Sequence, residues 1–320
     1  MNGETGSVSV VVPTWDSRRR TDLLACVEAI GRQTVRPAQV IVVVDHNPEL
    51  LAWARRALPA AQVVANRYER GVVGARNTGV EEARGDVVVL TDDDTEADPE
   101  WLERLGICFS NPAVIGVAGN LVPAWAGAEP RWFPAELYWA VGCSYAGLPT
   151  DVAPVRNPIA ANMAVRRWAL EEVGGFRQGA APRQIRIRGA VIAGGHALED
   201  TELGIRIARR RPEMSWLYQP RARVRHRVDP EQATLAYLLR RSFEEGAAKA
   251  ALARLVGRDR GLDAERDYLR ATIPRGIGRG LREALGGDPW GAARAGGIVA
   301  ALAAAGCGFA FAALTGRFSR

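Results

Sequence analysis

The chain has 320 residues, 48% of them hydrophobic, with 42 Lys and Arg against 36 Asp and Glu and a formal net charge of +6. That length and apolar content allow a substantial core, so disorder is not the default. The arginine excess suits anionic partners such as phosphates or a phospholipid surface, or else a plain solvated basic face. Cys26, Cys108, Cys143 and Cys307 lie too far apart for a CxxC pair or a small-domain disulfide framework, and a reducing compartment fits them best.

The short polar stretch 1–7 lacks the basic start and long apolar run of a secretory signal, so a cytoplasmic location is expected. Residues 8–12 form a β-branched run closed by Pro13, which reads as a buried parallel strand. Helical spacing over 22–32 follows, then a second strand at 40–44 ending in Asp45, a helix around 49–57 and a weaker strand at 62–65. A loop leads into a helix over 71–84, and a fourth strand at 86–90 runs into Thr91-Asp92-Asp93-Asp94. Strands alternating with helices predict an α/β fold, and ligands of such sheets gather at the carboxyl ends of the strands. Residues 111–139, rich in Trp and Pro, read as an irregular pocket wall. A helix at 168–173 ended by Gly174-Gly175 comes next within an ordered stretch 157–176. A glycine- and arginine-rich loop at 178–196 and a helix at 197–211 follow. Beyond 227 the chain is helical and arginine-rich, for example at 235–241 and 266–270.

Three adjacent carboxylates at the end of a buried strand repel one another, and a divalent cation would account for them. On an extended backbone Asp92 and Asp94 would face one ion. The competing explanation is a helix start, which Asp98 before Pro99 serves better. The run from Gly71 to Gly79 containing Arg76 and Asn77 could bring backbone and a fixed charge near a phosphate, or could serve simple packing. Glu199 and Asp200, at a helix start, could accept a proton from an attacking hydroxyl or merely cap the helix. His226 is either a metal ligand or a strand residue among basic neighbours.

Several elements recur in a fixed order: the first strand into Pro13-Thr14, the strand to Asp45, the Gly71-to-Gly79 run, the strand to Asp92-Asp93-Asp94, Ala161-Asn162-Met163-Ala164 ahead of Gly174-Gly175-Phe176, and Glu199-Asp200. In that order they resemble the family-2 glycosyltransferases over about 7–228. The resemblance implies a GT-A fold with a mostly parallel nucleotide-binding sheet flanked by helices. It also implies an inverting transfer from a nucleoside diphosphate sugar, a UDP-sugar foremost, and a Mn²⁺ or Mg²⁺ cofactor. Pro13, Thr14 and Asp45 would line the nucleoside pocket, and Arg76 with Asn77 would approach the donor. Asp92 would stand by the ribose or ion, Asp93 would be among the donor-binding residues, and Asn162 would border the transferred sugar. Asp94 and His226 would hold the metal, and Asp200 would be the base with Glu199 beside it. The chain departs from many relatives in Asp45-His46-Asn47-Pro48, where paired Asp and a Gly-Ser turn are usual, and in Trp15, where Tyr, Phe or Asn is usual.

The expected organisation is a glycosyltransferase domain over 1–228, with a nucleotide-sugar half to about 110 and an acceptor half beyond it, followed by a basic helical extension over 229–320. Residues 295–315 carry no charge, and as a helix they would reach roughly 30 Å, about a bilayer core. Spanning, surface packing and burial in a soluble bundle all remain open for this segment. A lipid-linked or cell-envelope acceptor at the inner face of the plasma membrane fits the basic helices, and a soluble natural product is the other acceptor class; no nucleic-acid partner is expected. Competing functions are a sugar nucleotidyltransferase, which should carry a glycine-rich loop directly after the first strand, and a nonenzymatic nucleotide-sugar-binding or membrane scaffold protein.

Overall fold

The computed structural model describes residues 6–156, 158–177, 184–187, 190–194, 199–256 and 267–315. Chain contacts divide it into two compact units. One comprises Met1–Val122, Pro149–Gln178 and Glu199–His226; the other comprises Pro123–Leu148, Gly179–Leu198 and Arg227–Arg320. Of the sequence expectations, Asn157, Arg266 and most of the loop over 178–196 lie outside the described residues.

The first unit is built on a sheet. Strands β1 (Val8–Thr14), β2 (Gln39–Val44), β3 (Gln62–Ala65) and β4 (Val87–Thr91) are parallel in the order β3-β2-β1-β4. Their Val/Ile-rich sequences reflect burial on both faces, as parallel strands require. The sheet continues from β4 through β8 (Asn162–Arg166), β6 (Val114–Trp125), β11 (Ser215–Val228) and β5 (Thr95–Ala97), with β7 (Ala153–Pro154) beside β11. In this half the β4–β8, β6–β8, β5–β11 and β7–β11 pairs are antiparallel, in contrast to the parallel pairing of the first four strands. Strand β6 also replaces much of the irregular wall expected over 111–139. Its glycines and proline lower strand propensity, but at Gly116 a side chain would meet the Trp216 ring at 2.2 Å, and that close packing overrides the local preference.

Helices α1 (Arg20–Gly31), α2 (Pro48–Ala57), α3 (Val72–Glu82), α4 (Trp101–Gly106), α5 (Arg167–Val173) and α6 (Glu199–Arg210) belong to the same unit. Asn47 caps α2 by accepting from the Leu50 N–H at 3.0 Å, with Pro48 at the first position, and Gly174 closes α5 in the left-handed conformation. The expected Asp98 cap is replaced by Glu100 at the α4 N-terminus, and no side-chain cap bond forms there. Val11, Ile41, Val43, Leu90, Met163 and Leu203 meet in one buried core that fixes the strand ends relative to α3 and α6.

In the second unit β9 (Gln184–Ile187) and β10 (Ala190–Gly194) pair antiparallel within the stretch expected to be loop. A turn of π-helix at Tyr268–Thr272 precedes α8 (Ile273–Leu285) and α9 (Pro289–Thr315), and α7 (Leu235–Val256) packs along α9 through Phe243, Ala247, Ala250 and Ala312. Arg279 of α8 pairs with the buried Glu136 at 3.0 Å. The stretch Pro289–Leu314 is long and apolar enough to cross a membrane, with a mean hydropathy of 2.1.

Candidate active site

The carboxyl ends of β1, β2 and β4 bring Thr14, Asp45 and Asp92-Asp93-Asp94 to a cleft of about 740 Å³, also lined by Pro13, Trp15, Arg19, His46 and Arg70. Asp45 is buried, and its carboxylate accepts from Asn66 Nδ2 at 2.6 Å, His46 Nδ1 at 2.8 Å and the Gly71 N–H at 2.8 Å. One side chain thereby ties the end of β2 to the glycine turn that starts α3. His46 has φ of +48°, so the departure at Asp45-His46-Asn47-Pro48 creates a left-handed turn without glycine.

The acidic run leaves β4 as a tight turn and sends its side chains to different partners. Asp93 points at β1, accepting from Thr14 Oγ1 at 2.5 Å and from Arg19 Nη1 at 3.0 Å, while the same Arg19 nitrogen lies 2.8 Å from Asp94 Oδ2. Burial pushes Asp93 up to about 6; the Thr14 hydrogen bond opposes that shift and the Asp94 charge adds to it. Burial also raises Asp94, with His226 opposing and Asp92 adding. Strand β5 follows the turn directly and pairs antiparallel with β11, placing His226 opposite Thr95. That register carries His226 Nε2 to 3.5 Å from Asp94 Oδ1.

Asp92, Asp94 and His226 each offer a ligand atom, and these atoms lie within 4.8 Å of one another. Asp94 Oδ1 is buried with no hydrogen-bond partner among the described residues, its nearest charged neighbour being His226 Nε2 at 3.5 Å, which leaves room for a ligand ion. Two carboxylates and an imidazole, one of them with an orphaned oxygen, fit Mn²⁺ or Mg²⁺.

Arg76 connects this turn to the start of α6. Its guanidinium donates to Asp92 Oδ1 at 3.0 Å and to Glu199 Oε1 at 2.6 Å, and it lies over the Phe176 ring at 5.8 Å. Burial works against the Arg76 charge, but Asp92, Glu199 and Asp200 outweigh it and its pKa is raised. Glu199 is pushed up to about 7 by burial, with Arg76 opposing and Asp200 adding. Asp200 is only half-buried, accepting from the Thr201 N–H at 2.6 Å and the Ala160 N–H at 3.3 Å.

Three residues expected near the donor also bond within the protein. Arg76 is 5% exposed and paired with the carboxylates of Asp92 and Glu199. Asn77 clamps the backbone of Phe176, donating to its carbonyl and accepting from its N–H, both at 2.8 Å. Asn162 is fully buried; it accepts from Trp101 Nε1 at 2.8 Å and donates to the Asn120 and Ala222 carbonyls, which joins β8 to β6 and β11. Arg19 and Arg70 are the cleft cations that sequence reasoning passed over. Both sit just outside regular strands, Arg19 in a basic run indistinguishable from a solvated face and Arg70 immediately before the glycine turn.

The family profile described as Glycosyl transferase family 2 matches residues 9–174, just over half of the chain. A glucosyl-dolichyl phosphate glucuronosyltransferase of Haloferax volcanii is 32% identical over 246 residues, covering 76% of this chain and 76% of its own length. An uncharacterized glycosyltransferase of Bacillus subtilis, YwdF, is 33% identical over 171 residues, which span 53% of this chain and 61% of YwdF. Among solved structures, GalNAc-T7 with UDP, GalNAc and Mn²⁺ aligns at 18% identity and a TM-score of 0.49 over 78% of this chain and 51% of that one. With the profile spanning strands β1 to β8 and a relative above 30% identity along most of both chains, this protein belongs to glycosyl transferase family 2 and is a glycosyltransferase.

Proposed function

We propose that this glycosyltransferase moves a sugar, with inversion, from a nucleoside diphosphate donor in the cleft to a hydroxyl of a lipid-linked acceptor at the cytoplasmic face of the membrane. The observation that supports the reading is the pair of contacts Asp94–His226 and Asp92–Arg76–Glu199, with Asp200 following Glu199 in the chain, which relates a cation-competent cluster to a half-buried carboxylate. The relative named for transfer of glucuronosyl units to glucosyl-dolichyl phosphate supports a lipid-linked saccharide as acceptor.

Thr14, Asp45 and Arg70 face the cleft where the nucleoside and its diphosphate would lie. Mn²⁺ or Mg²⁺ held by Asp92, Asp94 and His226 would supply Lewis-acid stabilisation of the departing diphosphate. Asp200 takes the proton of the acceptor hydroxyl as that oxygen bonds to the anomeric carbon. The bond from that carbon to the diphosphate oxygen breaks in the same step, and the nucleoside diphosphate leaves with the electron pair. A single displacement of this kind inverts the anomeric centre. Glu199 is less suited to be the base, because it is 5% exposed and held by Arg76, whereas Asp200 is the less buried of the two carboxylates. Arg76 and Arg19 act as positioning residues that hold the acidic groups against their own repulsion.

The test is a panel of nucleotide sugars with Mn²⁺ and a polyprenyl-phosphate-linked sugar, read as nucleoside diphosphate release and as product mass. Release and transfer with one donor, lost with EDTA, are expected. Transfer that persists unchanged in EDTA would overturn the metal assignment, and failure with lipid-linked acceptors alongside success with soluble glycosides would overturn the acceptor.

A further inference from the structure

We infer that α8 and α9 form a hairpin lying in the plane of an anionic membrane surface, and that α9 does not cross the bilayer. The inference deepens the proposed work at a membrane face and rests on that reading. Helix α9 has the length for a span, about 40 Å for its 27 residues, and Arg294 is its one charged residue. Its two faces differ, however. Ala295, Ile298, Ala301, Gly308 and Ala312 are buried, whereas Ala292, Gly296, Val299, Ala303, Cys307 and Ala310 form an exposed, uncharged stripe at helical spacing.

The buried face is closed by α7 at backbone contact. A side chain on Gly246 would come within 1.9 Å of the Ala305 carbonyl, and one on Gly308 within 2.0 Å of the Phe243 carbonyl. The helix so joined to α9 is strongly charged along the same stretch. Arg241 lies 3.6 Å from Glu244 and Lys249 lies 3.5 Å from Glu245, and Arg254 donates to the Ala312 and Ala313 carbonyls at the end of α9. A crossing α9 would take these groups into hydrocarbon, where charge is expensive and not solvated. An in-plane α9 leaves them on the protein side and buries only its apolar stripe.

Helix α8 supplies the other requirement. Leu281 is 52% exposed and Leu285 is 90% exposed, while Arg275 and Arg282 are exposed on the same short helix. Exposed leucines interspersed with arginines suit the acyl boundary and the phosphates of an anionic leaflet. Arg294 stays at the base of the hairpin, bound to Glu283, Asp288 and the Arg131 carbonyl, and so places no free charge on the stripe.

The test uses the full chain with a C-terminal tag, synthesised cell-free in the presence of phosphatidylcholine–phosphatidylglycerol vesicles or of phosphatidylcholine vesicles alone. The protein should float with the anionic vesicles only, and external protease should remove the tag. A dye on Cys307, the exposed cysteine, should be quenched by nitroxides near the headgroups and not by deep ones. The double variant L281E/L285E, with an unchanged melting temperature, should lower the vesicle-bound fraction on the order of tenfold. A protected tag or deep quenching would show a crossing helix and overturn the inference. So would failure to bind vesicles, including the case in which the chain instead forms a concentration-dependent dimer that covers the stripe. None of these readouts needs an acceptor, so they stand or fall separately from the transfer assay.

Discussion

Arg76→Met should destabilise the protein in a pH-dependent way that isolates its pairing with Glu199. Arg76 is almost wholly buried between Asp92 and Glu199, and Glu199 sits at about 7 because burial raises it more than Arg76 lowers it. Without the guanidinium, Glu199 rises further. Below about pH 7 it is protonated with or without Arg76, so the variant shows a constant deficit of about 1–2 kcal/mol from the lost hydrogen bonds. Above pH 7 the native protein releases the Glu199 proton while the variant retains it. The unfolded chains are alike, so the deficit grows by up to about 1.4 kcal/mol per pH unit until the raised pKa is passed. By pH 8.5 the loss should reach about 3 kcal/mol, within the range for breaking a buried ion pair from one side. Guanidinium unfolding of both proteins from pH 5.5 to 9 measures this. A deficit that stays flat across that range would refute the idea that Arg76 is what ionises Glu199.

Asp94→Asn removes the acidic oxygen that the protein leaves without a hydrogen bond, and calorimetry should show Mn²⁺-dependent binding of a nucleoside diphosphate weakened at least about tenfold. Unchanged affinity would discount the cluster as a metal site. Asp200→Asn should fold and bind donor normally yet lose turnover by at least about 10²-fold, the scale of a positioned base, and normal turnover would transfer the role elsewhere. Asn162→Ala should lower stability on the order of 3 kcal/mol, because it orphans the Trp101 N–H and two carbonyls, while leaving the KM for donor intact below the melting temperature. A raised KM with normal stability would restore Asn162 to the donor site.

The parallel half of the sheet was legible because its strands are buried on both faces and read as unbroken β-branched runs; β3 falls on the residues its sequence indicates. Strand β6 was hidden because its glycines and Pro123 make room for neighbours such as Trp216 that are remote in sequence. The same distinction governs the site. Asp92, Asp94 and His226 could be named from residue type and order, yet their meeting depends on β5 pairing with β11 across about 130 residues, which no local pattern reports. Arg76, Asn77 and Asn162 belong to the motifs that carry the family resemblance, and their bonds to Glu199, Phe176 and Ala222 are to partners remote in sequence that no local pattern reports.

The roles of Arg19 and Arg76 follow from the charge they answer. Asp92, Asp93, Asp94, Glu199 and Asp200 place five carboxyl groups on one framework, and two arginines stand among them. Among the described contacts the arginines are fewer than the carboxyl groups, and burial favours retained protons on two of these: Asp93 rises to about 6 and Glu199 to about 7. A divalent ion at Asp92, Asp94 and His226 would remove most of the remainder and make the upward shift of Asp94 unnecessary.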